Sequence, residues 1–282
     1  MQNNISPIIQ PTELLSLANN PNLVLIDASA GSKARYDEKH LNGALYIDLN
    51  DDLADIKADY ADGGRHPLPT SEQFAEVLGR FGIGRESHVV IYDDKNGSNA
   101  AARFWWMLQA IGHPKVQVLN GGFNAAIEAG FGTSNAVEQP KIAPKYPIGN
   151  WTLPQAELSE VENASKNGNQ LIIDVRDANR FAGLTEPIDL IAGHIPGATN
   201  IPFTENLDEK GFFLDPATLK VKYEKAIADF GPAQTIVHCG SGVTACHTLL
   251  AITYAGLPTP KLYVGSWSEW SRNDKDMVLA HQ

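Results

Sequence analysis

Two cysteines in 282 residues, Cys239 and Cys246, are too few for a disulfide framework and too few for a structural zinc site. They stand seven positions apart across an expected helix start, which puts them about 10 Å from each other, beyond disulfide reach. The chain also lacks any apolar run near the roughly 20 residues of a membrane-spanning helix. Its start, MQNNISPIIQ, has none of the charged-then-apolar order of a secretory leader, so a cytoplasmic protein is expected. Long basic runs are missing too. With 22 Lys and Arg against 33 Asp and Glu the net charge is −11, which argues against nucleic acid or an anionic membrane as partner. Any anionic substrate must then be drawn in by local groups. What is abundant is apolar material: 43% hydrophobic residues, over a length that suits two domains, each with its own core.

The chain repeats itself once. ELLSLANNPNLVLIDAS from Glu13 is answered by ELSEVENASKNGNQLIIDVRD from Glu157, a helical stretch followed by a strand that ends in Asp. The shift is 147 from Asp27 to Asp174, 146 from Asp93 to Cys239 and 144 from Gly121 to Gly265. Between these anchors Arg35-Tyr36 answers Arg180-Phe181, HLNGALYID answers GHIPGATNIP, and SHVVIYDD answers QTIVHCG. Each half alternates short β-branched runs with helical patterns, the signature of an α/β domain on a mostly parallel sheet. Pro140, Pro144 and Pro147 prevent helix between the halves and favour an extended connection. The expected division is residues 1–140, a linker at 141–150, and residues 151–282.

The segment TIVHCGSGVTACHTLLAITYAGL reads as a strand, a tight turn from Cys239 to Thr244, and a helix. A turn of this kind points backbone N–H groups and the positive end of a helix dipole inward. A thiol at its mouth is expected to ionise more readily and to act as a nucleophile; the plainer reading is a small buried cysteine at a strand end. Gly240 and Gly242 are the residue type a backbone cradle needs, because they adopt unusual φ values and leave no side chain over the site.

Cys-Gly-Ser-Gly-Val-Thr, with Asp174…Arg180, GHIPGA and the late WSEW from Trp267, resembles the rhodanese superfamily, in particular the 3-mercaptopyruvate sulfurtransferases. The resemblance covers nearly the whole chain; GGRHPLP, RFWWMLQAIGH and VLNGGF resemble the non-catalytic domain of those enzymes. It implies two tandem rhodanese-like domains, each a mostly parallel sheet flanked by helices, and sulfur transfer through a persulfide on Cys239. In the first copy Asp93 or Asp94 takes the cysteine position, and neither carries persulfide sulfur. Only the second domain is then catalytic. A protein phosphatase, the rival for such a loop, needs an arginine six residues after the cysteine, where this chain has Ala245.

Through the resemblance, Arg180 matches an arginine that contacts the donor, and a guanidinium fork suits a carboxylate; a salt bridge is the alternative. A second arginine, typical of a Glu-Pro-Arg-type segment, is absent from Glu186-Pro187-Ile188. His66 matches a histidine that the first domain contributes to the cleft, where it orients or protonates the leaving enolate, or else it caps a turn. Arg65 beside it adds positive potential. Ser241 is a candidate proton relay or a turn former. Gly240, Gly242, Val243 and Thr244 line the donor site, Thr244 also capping the helix that follows or bonding the loop. Cys246 reads as a packing residue and His194 as a turn-stabilising one. His238, one residue before the nucleophile, is expected to face away from it, and the tryptophans are expected to pack cores, with Trp267 a candidate wall of the cleft.

The implied reaction is ping-pong, needs no metal or organic cofactor, and passes sulfur to cyanide, a small thiol or a thioredoxin-like protein. Thiosulfate-specific relatives carry Arg and Lys directly after the cysteine, where this chain has Gly240 and Ser241, so 3-mercaptopyruvate is the expected donor and thiosulfate the alternative. A persulfide carrier or sensor with little turnover is the reading from a different class.

Overall fold

The apolar runs before Asp27, Asp93, Asp174 and Cys239 form the central strands of two parallel sheets in the computed structural model, which describes residues 5–147 and 149–280. The first four residues and Ile148, within the expected linker, lie outside the described residues. The chain divides into two units. The first comprises residues up to Ala54, Pro69–Thr152 and Glu209–Phe213; the second comprises Asp55–Leu68, Leu153–Asp208 and residues from Leu214 on.

In the first unit the elements run β1 (Ile8–Ile9), α1 (Pro11–Leu17), β2 (Leu23–Asp27), α2 (Lys33–Glu38), β3 (His40–Leu41), β4 (Ala44–Tyr46), α3 (Ser71–Arg80), β5 (His88–Tyr92), α4 (Ala100–Ala110), β6 (Val116–Leu119), α5 (Gly122–Glu128) and β7 (Thr133–Ser134). Five strands form a parallel sheet in the order β1-β6-β5-β2-β4, while β3 and β7 pair antiparallel beside it. The expected linker groups with the first unit, which runs on to Thr152. Tyr146 is buried with its hydroxyl 2.9 Å from His113 Nδ1, and Trp151 stacks on Trp106. Residues 141–147 carry neither helix nor strand, in line with the preference of the prolines.

In the second unit the elements are α6 (Leu158–Asn167), β8 (Leu171–Asp174), α7 (Ala178–Phe181), β9 (Thr199–Asn200), α8 (Pro216–Ala226), β10 (Thr235–His238), α9 (Val243–Tyr254), β11 (Lys261–Leu262) and α10 (Ser266–Trp270). The sheet order is β11-β10-β8-β9, all parallel, with His238 opposite Asp174 in register. The core strands β5, β6 and β10 are buried on both faces almost end to end, which is why they read as continuous Val/Ile runs. Helices α4 and α9 are buried nearly all round and show little amphipathic pattern for the same reason.

Chain order reverses between β8 and β10, and in the first unit between β2 and β5. At such a switch point the loops leave in opposite directions and open a crevice at the carboxyl ends of the strands. Asp174 and Cys239 stand at this place in the second unit, Asp27 and Asp93 in the first.

Candidate active site

Cys239 follows the last residue of β10 and is 3% exposed. Its N–H donates to Ser266 Oγ at 3.2 Å. Helix α10 then takes hold of the loop's carbonyls, because the N–H of Trp267 donates to Cys239 O at 3.1 Å and that of Ser268 to Gly240 O at 2.9 Å. These are first-turn N–H groups, which have no partner inside their own helix. With its carbonyls so engaged, the turn leaves the backbone N–H groups of Gly240 through Thr244 without an acceptor among the described residues. Gly242, at φ +73°, is the residue preceding α9, and a Cβ there would lie 2.6 Å from Val264 O. Only glycine fits that close approach. Thr244 is not the cap expected of it; it lies within α9, and Gly242 occupies the cap position without a side-chain bond. Val243 is buried at the helix start.

Ser241 Oγ lies 2.8 Å from His66 Nδ1, so two candidates 175 residues apart meet. His66 is brought there by residues 55–68, which belong to the second unit although the sequence assigns them to the first half. Backbone anchors explain the transfer: Gly63 N–H donates to Glu269 Oε1 at 2.9 Å, Arg65 N–H to Ser268 Oγ at 3.1 Å, and Asn273 Nδ2 to Ala61 O at 2.8 Å.

Arg180 donates from Nε and Nη2 to Glu186, at 3.1 and 2.7 Å, and from Nη2 to Asp189 Oδ2 at 3.2 Å. Asp189 is shared. Arg65 Nε approaches its Oδ1 at 3.1 Å and Arg272 Nη1 the same oxygen at 3.7 Å. Burial raises the Asp189 carboxyl above its ordinary value despite these cations, while for Glu186 burial is outweighed by the Arg180 bonds and the value is lowered. The sequence repeat pairs Arg35 with Arg180, but the contacts differ. Arg35 bonds Asp27 at 2.8 Å, and the equivalent Asp174 is taken at 2.7 Å by Arg176, whose guanidinium also covers the Trp267 ring. Ile188 is exposed.

The remaining candidates pack. Cys246 is buried with Sγ 3.2 Å from Gly242 O, and Trp267 is a core residue whose Nε1 donates to Ile191 O, so it does not wall a cleft. His194 stacks on Phe181 and bonds its carbonyl. His238 is buried, with Nδ1 3.1 Å from Cys239 O.

A model of the rhodanese-like domain matches twice, at residues 10–129 and 157–273. The chain belongs to the rhodanese family. A probable 3-mercaptopyruvate sulfurtransferase from Pseudomonas aeruginosa is 37% identical over 278 residues, covering 93% of this chain and 94% of the relative. A thiosulfate sulfurtransferase from Rattus norvegicus is 35% identical, covering 89% and 86%. Among solved structures, the 3-mercaptopyruvate sulfurtransferase from Leishmania major superposes with a TM-score of 0.82 at 27% identity, covering 96% of this chain and 76% of that one.

Sequence reasoning missed three features near the Cys239 loop: Asp189, Arg272 and the grip of α10 on the loop. WSEW was noticed only as a family mark. Gly240 and Ser241 carry no charge themselves, and Arg65 and Arg180, the two cations expected near the cleft, both stand beside Gly240. A Cβ there would lie 2.9 Å from Arg65 Nη2 and 3.4 Å from Arg180 Nη2, so an arginine at 240, as in thiosulfate-specific loops, would displace them.

Proposed function

We propose that this chain is a sulfurtransferase that takes sulfur from 3-mercaptopyruvate onto Cys239 and passes it to a thiol or to cyanide. The observation that carries the reading is Cys239 at the end of β10 beside five backbone N–H groups that no protein acceptor uses among the described residues. Such a cradle stabilises an anionic sulfur without needing reorganisation.

In the first half-reaction the Cys239 thiolate attacks the donor's sulfur. The S–S bond forms as the donor's C–S bond breaks, and the electron pair leaves as the enolate of pyruvate. Ser241 supplies a proton to the enolate carbon, and His66, 2.8 Å from its oxygen, returns one taken from the donor's thiol group. The outer persulfide sulfur is left as an anion facing the N–H groups. Gly240, Gly242, Val243 and Thr244 contribute backbone to this cradle, and Arg180 holds the donor's carboxylate. In the second half-reaction an acceptor thiolate or cyanide attacks the outer sulfur, the S–S bond breaks, and its electron pair returns to Cys239. A small thiol or a thioredoxin-like protein is the acceptor in this reading. Neither cysteine is in a disulfide, in keeping with a reducing, cytoplasmic setting, and no helix among the described residues is long and apolar enough to cross a membrane.

The test is kcat/KM for 3-mercaptopyruvate and for thiosulfate, measured with one acceptor. A higher value for 3-mercaptopyruvate with steady pyruvate release is expected. A thiosulfate preference overturns the donor, and a single-turnover burst with no steady state replaces the enzyme by a carrier.

A further inference from the structure

We infer that Arg65 acts with Arg180 as a two-guanidinium clamp for the donor's carboxylate and is a specificity-determining residue of the site. This deepens the sulfurtransferase reading and rests on it for the donor's identity.

Gly240 directly follows the nucleophile, and the space where its side chain would stand is bounded by Arg65 Nη2, Arg180 Nη2 and Asp189 Oδ2. The two guanidiniums therefore border one small volume adjoining Cys239. Both reach the same oxygen, Asp189 Oδ2, at 3.5 Å from Arg65 and 3.2 Å from Arg180. Each is only 17% exposed, and Asp189 is fully buried in its side chain. Two cations held this close need an anion between them, and Asp189 serves as the fixed jaw.

The charges leave room for another anion. Arg65, Arg180 and Arg272 carry three positive charges around Asp189 and Glu186, which carry two, and the adjoining Arg176–Asp174 pair is neutral. The excess is one positive charge, the complement of one carboxylate. Donors are available as well: no hydrogen bond or ion pair among the described residues uses Nη1 of Arg65 or of Arg180. Arg65 cannot drift from this place easily, since its own N–H is tied to Ser268 Oγ, on the helix that grips the loop. A planar fork on each side of a carboxylate fixes its orientation as well as its charge, which one arginine alone does not.

The experiment compares 3-mercaptopyruvate with mercaptoacetone, the same thiol ketone without the carboxylate, on the unmodified protein and on Arg65→Gln. The expected result is a rise in KM for 3-mercaptopyruvate of about ten- to a hundredfold, with a matching fall in its kcat/KM relative to mercaptoacetone and partial recovery in Arg65→Lys. An unaltered ratio between the two donors overturns the clamp, whether both fall together or neither does. Calorimetric binding of 3-mercaptopyruvate to Cys239→Ser and to Cys239→Ser with Arg65→Gln reads the clamp without turnover. Binding weakened by a similar factor supports it; equal affinities overturn it. If the unmodified protein transfers no sulfur and yet binds 3-mercaptopyruvate through Arg65, the sulfurtransferase reading fails and the clamp stands. If transfer is normal and Arg65→Gln changes nothing, the reverse holds.

Discussion

The loop after β5 and the loop after β10 stand at the same switch point of two related sheets, yet one is closed on itself and the other is open. In the first unit the Asp93 carboxylate accepts the N–H groups of Lys95 and Gly97 on Oδ1, at 2.9 and 2.8 Å, and those of Asn99 and Ala101 on Oδ2, at 3.0 and 3.4 Å. The loop runs seven residues from Asp93 to the start of α4, against four from Cys239 to the start of α9, and the added length wraps round the carboxylate. In the second unit the side chain at the strand end is a thiol, and the N–H groups of Gly240 through Thr244 have no acceptor among the described residues. The fold builds an anion cradle twice. Whether it binds an external anion depends on whether the strand's last side chain has already filled it.

Removing the thiol breaks the comparison most completely. Cys239→Ser is expected to abolish sulfur transfer, and intact-mass analysis after donor treatment should show one added sulfur on the unmodified protein and none on the variant. Adding Asp93→Cys to that variant should not restore it, since Arg35 is committed to Asp27 and no hydroxyl–imidazole pair stands at that loop among the described residues. Sulfur on Cys239→Ser would refute the assignment.

Asp93 itself gives the next effect. Burial pushes its carboxyl up to about 6 against the pull of the four N–H groups, from 3.8 when unfolded. The folded form thus favours the neutral acid, so this contribution to stability is complete below 3.8 and is lost as pH rises through about 6. Asp93→Asn mimics the neutral form at all pH values. Between pH 4 and pH 7 the unfolding free energy of the unmodified protein should fall relative to the variant, by about 2 kcal/mol for a shift of this size. Denaturant titration at both pH values measures it, and a pH-independent difference would show that Asp93 is ionised throughout.

His66→Ala should lower kcat with 3-mercaptopyruvate by about a hundredfold, and Ser241→Ala should add little to it, because the two act as one relay. Unchanged kinetics would make His66 a structural residue. The smallest effect belongs to Cys246→Ser. A serine hydroxyl can keep the bond to the Gly242 carbonyl, so activity should stay within about twofold. A larger loss would give the second thiol a part in the chemistry.

Much was legible in the residues. The internal repeat, the parallel sheets and the strand-turn-helix carrying Cys239 follow from signals within ten or so neighbouring positions: β-branched runs, glycines that alone tolerate the needed φ, and a helix start. That an aspartate, Asp93 or Asp94, takes the place of the cysteine was equally plain, although the filling of the cradle by Asp93 was not. What the tertiary structure alone decided is which distant residues gather around the Cys239 loop. His66 reaches Ser241 across 175 residues and Arg65 reaches Asp189 across 124, because residues 55–68 leave the half of the chain they were read into and are tied by backbone bonds to Glu269, Ser268 and Asn273. Ile188 read as a missing charge; Arg65, from that distant segment, stands beside Gly240 with Arg180. Local propensity carries no record of such pairings; they are set by strand order and by which buried polar groups find partners when the sheet is covered.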